Sequence, residues 1–291
     1  MPRRAGPSAR SRRLARSLRR IRAERGLSAA EVAKALGMSG SKINRVETCE
    51  IGIYLDDLER LLDYYRLPAE RRVELLDIAR HAEQRSWLRT RNAHFPADWQ
   101  TWSDFEDEAT GLRQYEPLTI PGLLQTPEYA RSVIAATGGA LSGDEVDDLV
   151  AHRMARQQLL SRRSPFNLHV ILEECVLVRN FHTHGCGARQ LRHIAHEAER
   201  ENVIVQIVPA NVGIHAGMAG AFILLDYGQD PCSVWLEQLV SSLFLDDEEH
   251  VEMYQATWEN LVHVALDPEQ SRDRLRQMAV LESAETEIMP S

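Results

Sequence analysis

The stretch Gly26–Thr48, GLSAAEVAKALGMSGSKINRVET, reads as two short helices folded across a tight corner. Gly26 ends a preceding helix, because glycine enters the left-handed conformation of a helix C-terminus at little cost. Ser28 caps the next helix, and Glu31, three residues on, completes a capping box. Val32, Ala33 and Leu36 face inward, and Gly37 closes that helix after two turns. Ser39 caps a third helix whose apolar positions are only Ile43 and Val46. Gly40, Ser41, Lys42, Asn44 and Arg45 are left pointing outward. The predicted surface is a polar, donor-rich helix face with small residues at its N-terminus that permit close approach.

Working outward, a helix over about residues 8–25 places Leu14, Leu18 and Ile21 on one face. IYLDDLERLLDYYRL supplies a fourth helix through Leu55, Leu58, Leu61, Leu62 and Tyr65, and AERRVELLDIARHAEQR a fifth. Five helices in about 80 residues suffice to bury a small core. The start, MPRRAGPSARSRRLARSLRR, is basic but is followed by no apolar stretch of signal length, and no segment approaches membrane-spanning length. A cytoplasmic protein with reduced thiols is the expectation, since Cys49, Cys175, Cys186 and Cys232 show no CxxC spacing.

Charge divides the chain. Residues 1–91 hold 21 Lys+Arg against 12 Asp+Glu, and the remainder holds 13 against 31. A basic module of +9 suits a polyanion, whereas a remainder of −18 is repelled by one. A short helix packed across another is also how a protein offers a helix to the DNA major groove. On this reading the arginines of residues 3–25, with Arg12, Arg13 and Arg19 among them, hold phosphates together with Ser28, Arg45 and Thr48. Such contacts add affinity without sequence information.

The phrase LSAAEVAKALGMSGSKINRVE resembles the helix-turn-helix of the Cro-like, xenobiotic-response-element type regulators. The resemblance implies base reading by the third helix through Gly40, Ser41, Lys42 and Asn44, and an ion pair between Arg22 and Glu47 joining the first helix to the third. Two residues depart from the pattern. Ala29 stands where many members carry a glutamine that touches the phosphate backbone, and Cys49 where a glycine usually ends the recognition helix.

The acidic remainder reads as α+β, with the boundary near residue 90. The fold class is thus an all-α helix-turn-helix domain over residues 1–90 followed by a larger α+β domain over 91–291. Asp98 to Gln114 is predicted as a helix whose aromatic residues pack on this domain. Thr126 caps a helix that Gly138-Gly139 ends, and GDEVDDLVAHRMARQQLLSRR is another. FNLHVILEECVLV, NVIVQIVPA, AGAFILLDY and SVWLEQLV read as strands, with GARQLRHIAHEAERE as a helix between the first two. The chain closes in two helices. YEPLTIPGLLQTPEYAR, HRMARQQLL, VIVQIVPANVGIHAGMAGAFILLDY and VWLEQL, in that order, resemble the C-terminal domain of unknown function in actinobacterial WhiJ-like and antitoxin-like regulators. That resemblance implies small acidic BldB-like proteins as partners.

Gly213, Gly217 and Gly220 lack the Gly-Lys-Ser/Thr ending and following helix of a phosphate loop, so they read as a turn between strands. His182, His184, Cys186, His193 and His196 gather within 15 residues but match no recurring zinc spacing, so no metal or other cofactor is expected. Glu173, Glu174 and Glu237 are carboxylates in otherwise apolar strands, with Arg153, Arg156 or Arg179 as partners. No nucleophile–base–orienter set is visible by spacing, which argues against an enzyme. His215, Glu174, Glu237 and Arg153 remain as a candidate effector or partner site. The expectation is a sequence-specific transcriptional regulator acting on double-stranded DNA as a homodimer. The alternatives are an antitoxin-like module neutralising a small partner and a small-molecule or metal sensor.

Overall fold

The computed structural model describes residues 9–80, 86–90, 102, 105–106, 108–162, 166–179, 186–228, 230–238 and 241–288. The chain divides into two compact units, Met1–Trp87 with Leu245–Asp247, and Leu88–Phe244 with Glu248–Ser291. The first is helical over residues 9–80 and the second is α+β.

The helical unit comprises α1 (Ala9–Glu24), α2 (Ala29–Leu36), α3 (Gly40–Glu47), α4 (Leu55–Tyr64) and α5 (Ala69–Arg80). Each boundary has a local cause. Ser28 Oγ accepts from the Glu31 N–H while the Glu31 carboxylate accepts from the Ser28 N–H, and Gly37 ends α2 at φ 66°. Ser39 Oγ accepts from the Lys42 N–H to start α3. Leu18, Ile21, Val32, Leu36, Ile43, Val46, Leu58, Leu61, Leu62 and Leu75 belong to one buried cluster. These helices interdigitate there, each contributing one apolar stripe. After α3 the chain turns through Cys49 at φ 58°, a left-handed conformation that costs a side-chain-bearing residue about 1 kcal/mol. Cys49→Gly therefore raises the stability of this unit by up to about 1 kcal/mol, read as a higher urea midpoint by circular dichroism. A lowered midpoint would mean that the thiol contributes packing the strain argument omits.

Among the described residues, seven strands form one mixed sheet in the order β1-β7-β6-β5-β2-β3-β4. They are β1 (Ser86–Thr90), β2 (Gly111–Glu116), β3 (Asn167–Glu173), β4 (Val203–Val208), β5 (Phe222–Tyr227), β6 (Asp230–Glu237) and β7 (Ser241–Leu245). Helices α6 (Pro127–Thr137) and α7 (Gly143–Arg156) precede β3, and α8 (Cys186–Glu197) lies between β3 and β4. Helices α9 (Glu248–Val264) and α10 (Pro268–Ile288) follow β7. Strand β3 runs parallel to both β2 and β4, so β3-α8-β4 is a strand–helix–strand crossover. Strand β5 runs antiparallel to β2 and β6. The exposed edge of β4 is tied down: the Ile207 N–H donates to Ser271 Oγ at 3.1 Å and the Leu266 N–H to the Ile207 carbonyl at 2.8 Å.

Three sequence expectations are corrected here. The helix predicted to run to Gln114 gives way to strand β2, which sits between β5 and β3 at the centre of the sheet. Of its earlier part, Trp102, Phe105, Glu106 and Glu108 are helical as expected, and residues 98–101, 103–104 and 107 lie outside the described residues. The run FNLHVILEECVLV stops being a strand at Glu173, where a single helical turn, Glu174–Leu177, begins. Strand β7, SSLFL, was not anticipated; the Gln238 N–H donates to the Ser241 carbonyl at 2.8 Å just ahead of it. Among the described residues no helix is long and apolar enough to cross a membrane, and all four cysteines are free.

Candidate functional site

The 3.6-residue repeat of α3 sorts its side chains into faces. Ile43, Val46 and Glu47 are buried, whereas Ser41, Asn44, Arg45 and Thr48 are exposed. Positions i, i+3, i+4 and i+7 share one side of a helix, so these four present a single polar face to solvent. Gly40 lies on its flank, where an added Cβ would stand 3.9 Å from Ala30 Cα. Lys42 lies on the other flank with its Nζ 2.5 Å from Asp57 Oδ2, so its charge is already engaged inside the domain. At the far end, Arg45 Nε stands 3.5 Å from Glu50, and Thr48 Oγ1 donates to Glu50 at 3.0 Å. Both partners are exposed, so these contacts are weak and easily exchanged.

A bidentate ion pair fixes the rotation of that helix. Arg22 Nε donates to Glu47 Oε1 at 2.8 Å and Arg22 Nη2 to Oε2 at 2.6 Å, while Nη1 donates to the Leu27 carbonyl at 2.8 Å. Glu47 is buried at 6% exposure, and its carboxylate raises the Arg22 pKa above the ordinary arginine value. One guanidinium thereby joins α1, the α1–α2 turn and α3.

The arginines of α1 separate into two groups. Arg19 is exposed. Arg12 and Arg13 are buried, and Arg13 Nη2 donates to Glu74 Oε1 at 2.6 Å while Arg71 donates to the other oxygen. Arg13 therefore ties α1 to α5, and both Arg12 and Arg13 are buried here, unlike Arg19. Ser28 is exposed, with its side chain committed to the α2 cap.

In the second unit, His215, Glu237 and Arg153 line one cavity of about 970 Å³ with Tyr115, Glu173 and Gly217. Tyr115 OH donates to Glu173 Oε1 at 2.7 Å, and His215 Nε2 lies 3.1 Å from the same oxygen. His215 Nδ1 accepts from the Gly217 N–H at 3.2 Å, which leaves the ring proton on Nε2, aimed at the carboxylate. An added Cβ at Gly217 would approach Tyr115 OH to 2.5 Å, so glycine is what lets this loop close on the ring. Burial, then Glu173, pushes the Tyr115 phenol above its ordinary pKa, so it stays a donor. Glu174 stands apart from this group. It accepts from the Ala210 N–H at 3.0 Å and pairs with Arg274 at 2.6 Å; burial raises its pKa, but those bonds outweigh burial and hold it low.

A second cavity of about 300 Å³ shares Thr137, Arg153 and Glu237 with the first and adds Gln114, Glu116, Trp102, Trp235 and Arg156. Arg156 forks onto the buried Glu106 at 2.7 and 2.8 Å. Gln114, Tyr115 and Glu116 are absent from the site predicted from sequence: Gln114 is the last residue of the predicted helix, and Tyr115 and Glu116 just beyond it are not read as a strand. Alternation along a strand is the signal that places Gln114 and Glu116 on the same face. Among the described residues no three of His, Cys, Asp and Glu gather as a metal site; His182 and His184 lie outside those residues. His196 is exposed on α8, and burial lowers the His193 pKa.

Comparison with known proteins follows the same division. A family model described as a helix-turn-helix domain matches residues 13–75, and one described as a domain of unknown function, DUF5753, matches residues 99–277. No curated protein matches the chain. Among solved structures, similarity extends to TrmBL2, described as an archaeal chromatin protein with a novel mode of DNA binding. It is 12% identical over 83% of this chain and 88% of that chain, with a TM-score of 0.29, too low to indicate a shared fold.

Proposed function

The chain belongs to the DUF5753 family and carries a helix-turn-helix domain ahead of that region, and we propose that it is a sequence-specific DNA-binding transcriptional regulator. One observation carries the reading: the exposed face Ser41–Asn44–Arg45–Thr48, held in fixed rotation by the Arg22–Glu47 pair. On it, Ser41 and Asn44 reach base edges, and Arg45, Thr48 and Arg19 reach phosphates. Lys42 joins them by exchanging Asp57 for a base or a phosphate. Gly40 permits close approach at the N-terminus of the helix. Modules of this size bind as dimers on two half-sites about one helical turn apart.

The DUF5753 region then acts as the control domain. Its cavities support control by a small molecule. A small acidic BldB-like partner is the second reading. Charge favours its docking on the basic module, +9 over residues 1–91, over the remainder at −18. Such a partner competes with DNA, and in the antitoxin-like form of this reading that competition is the main role.

Selection of bound duplexes from a random pool by the full-length protein at near-physiological salt tests the proposal. An enriched inverted repeat supports it; a folded protein that enriches nothing removes base reading from α3. Two variants then separate the contacts. Asn44→Ala costs about 1–3 kcal/mol on the selected site and relaxes preference at one position. Arg19→Ala weakens all sequences alike and lowers the salt slope by about 1. Identical behaviour of the two across sequences would show that Asn44 touches no base.

A further inference from the structure

The larger cavity lies outside the carboxyl ends of the parallel strands β2 and β3, where ligands of open α/β sheets bind. Tyr115 comes to it from the end of β2 and Glu173 from the end of β3. The strand order sends the connection from β4 to β5 across both ends, and that loop, residues 209–221, brings His215 and Met218 to the same space. Helices α6 and α7 add Ile134 and Leu149 to the wall, with Leu141 from the turn between them. Leu118 and Met218 line it as well, yet are 62% and 65% exposed, which places them at its mouth. Large apolar side chains left in water beside an apolar cavity are stabilised by any apolar surface that covers them.

One polar group decides what an occupant must offer. Glu173 Oε1 accepts from Tyr115 OH and His215 Nε2, whereas Glu173 Oε2 accepts nothing among the described residues. Tyr115 has one proton to give and the neutral ring of His215 has one, so both donors are spent. What the group has left is acceptor capacity, on a carboxylate that is largely buried. Arg153 and Glu237 also reach the wall, with opposite charges, so beyond Glu173 it favours neither sign. A ligand O–H or N–H answers Glu173, and a ligand carboxylate or ether oxygen does not. An ammonium would have to leave water for a mostly apolar wall, a cost that a carboxylate already shared between two donors offsets poorly. A hydroxyl loses far less on entry.

We propose that this cavity binds a neutral, mostly apolar small molecule with a hydroxyl, a phenol or an alcohol. Its hydroxyl donates to Glu173 Oε2, and its body lies against Ile134, Leu141 and Leu149 and covers Leu118 and Met218. At about 970 Å³ the space takes a molecule of several rings or a ring with a long chain. The proposal names the effector class for the control domain and rests on that reading for its regulatory consequence, not for the binding itself. Glu173→Gln probes the hydrogen bond directly, because Tyr115 and His215 both donate. They hold the amide oxygen at the place of Oε1, so the amide NH2 takes the place of Oε2 and an acceptor becomes a donor.

The test is equilibrium dialysis of the full-length chain, without DNA, against 4-octylphenol and estradiol. Their methyl ethers serve as controls that cannot donate, and 4-octylbenzoate and 4-octylbenzylamine as charged ones. Saturable binding of at least one phenol is expected, about tenfold or more tighter than its ether. In Glu173→Gln that preference should vanish or reverse. Leu118→Asn and Met218→Asn, at sites already wet, should each weaken binding about threefold or more and leave the preference intact. Lack of saturation by both phenols overturns the proposal. So does equal binding of the ether, or tighter binding of the benzoate or the amine. A preference kept by Glu173→Gln that circular dichroism shows to be folded, or full affinity in both mouth variants, overturns it too. Repeating the duplex selection with and without the phenol separates the two readings. Phenol binding without any change in DNA affinity overturns the effector role alone, and normal DNA selection without phenol binding overturns the site alone.

Discussion

Glu47→Ala is expected to destabilise the helix-turn-helix unit by about 3–5 kcal/mol, the range for removing one partner of a buried ion pair. The cause is less the lost attraction than what stays behind. Arg22 cannot lose its proton, and its guanidinium would remain at 17% exposure with only the Leu27 carbonyl as acceptor. A small domain holds only about 5–10 kcal/mol in total, so this change leaves it close to unfolding at 37 °C. DNA binding should fall with it, although Glu47 points away from the exposed face of α3. Hydrogen exchange on peptides from α1, α2 and α3 of the full-length protein measures the effect locally. Replacing both partners by apolar residues, Arg22→Met with Glu47→Leu, should recover most of the loss, because no buried charge is then stranded. If the single and double variants exchange equally fast, the pair is not what holds α3.

How much of this was readable in the sequence follows from the range over which each cause acts. The helices of the first unit are set by caps and stripes within one or two turns, such as Ser28 with Glu31 or Leu14, Leu18 and Ile21 on α1. The periodicity of GSKINRVE likewise separates Ile43 and Val46 from the exposed residues. Strand β2 was hidden because GLRQYE is buried on both faces at Leu112, Gln114 and Tyr115 and shows little alternation. It is a strand because β3 and β5, at least 50 residues away in the chain, supply its hydrogen-bond partners. The same holds for site residues. Lys42 and Arg13 looked like free cations, yet Asp57 lies 15 residues from one and Glu74 lies 61 from the other. Local pattern fixes which residues point outward, and tertiary partners fix which of those charges remain available.

Glu116→Gln is expected to have the opposite sign from Glu47→Ala, for the same physical reason. Glu47 is a buried carboxylate with a bidentate partner, whereas among the described residues Glu116 accepts from one neutral amide, that of Gln114. Its carboxyl moves from 4.5 to about 7 on folding, so the folded state holds the proton more tightly than the unfolded chain does. The native state therefore keeps its full stability below about pH 4.5 and loses part of it as pH rises through about 7. Moving the carboxyl from 4.5 to about 7 is equivalent to about 3 kcal/mol, and water at the cavity mouth reduces it to about 2. A glutamine keeps the acceptor that Gln114 uses and never ionises. Urea unfolding followed by tryptophan fluorescence should thus show the variant about 2 kcal/mol more stable than the parent at pH 8 and within about 0.5 kcal/mol of it at pH 5. Equal stabilities at pH 8 would mean that burial does not raise the Glu116 carboxyl in the folded state, and the argument from its single amide donor would fail.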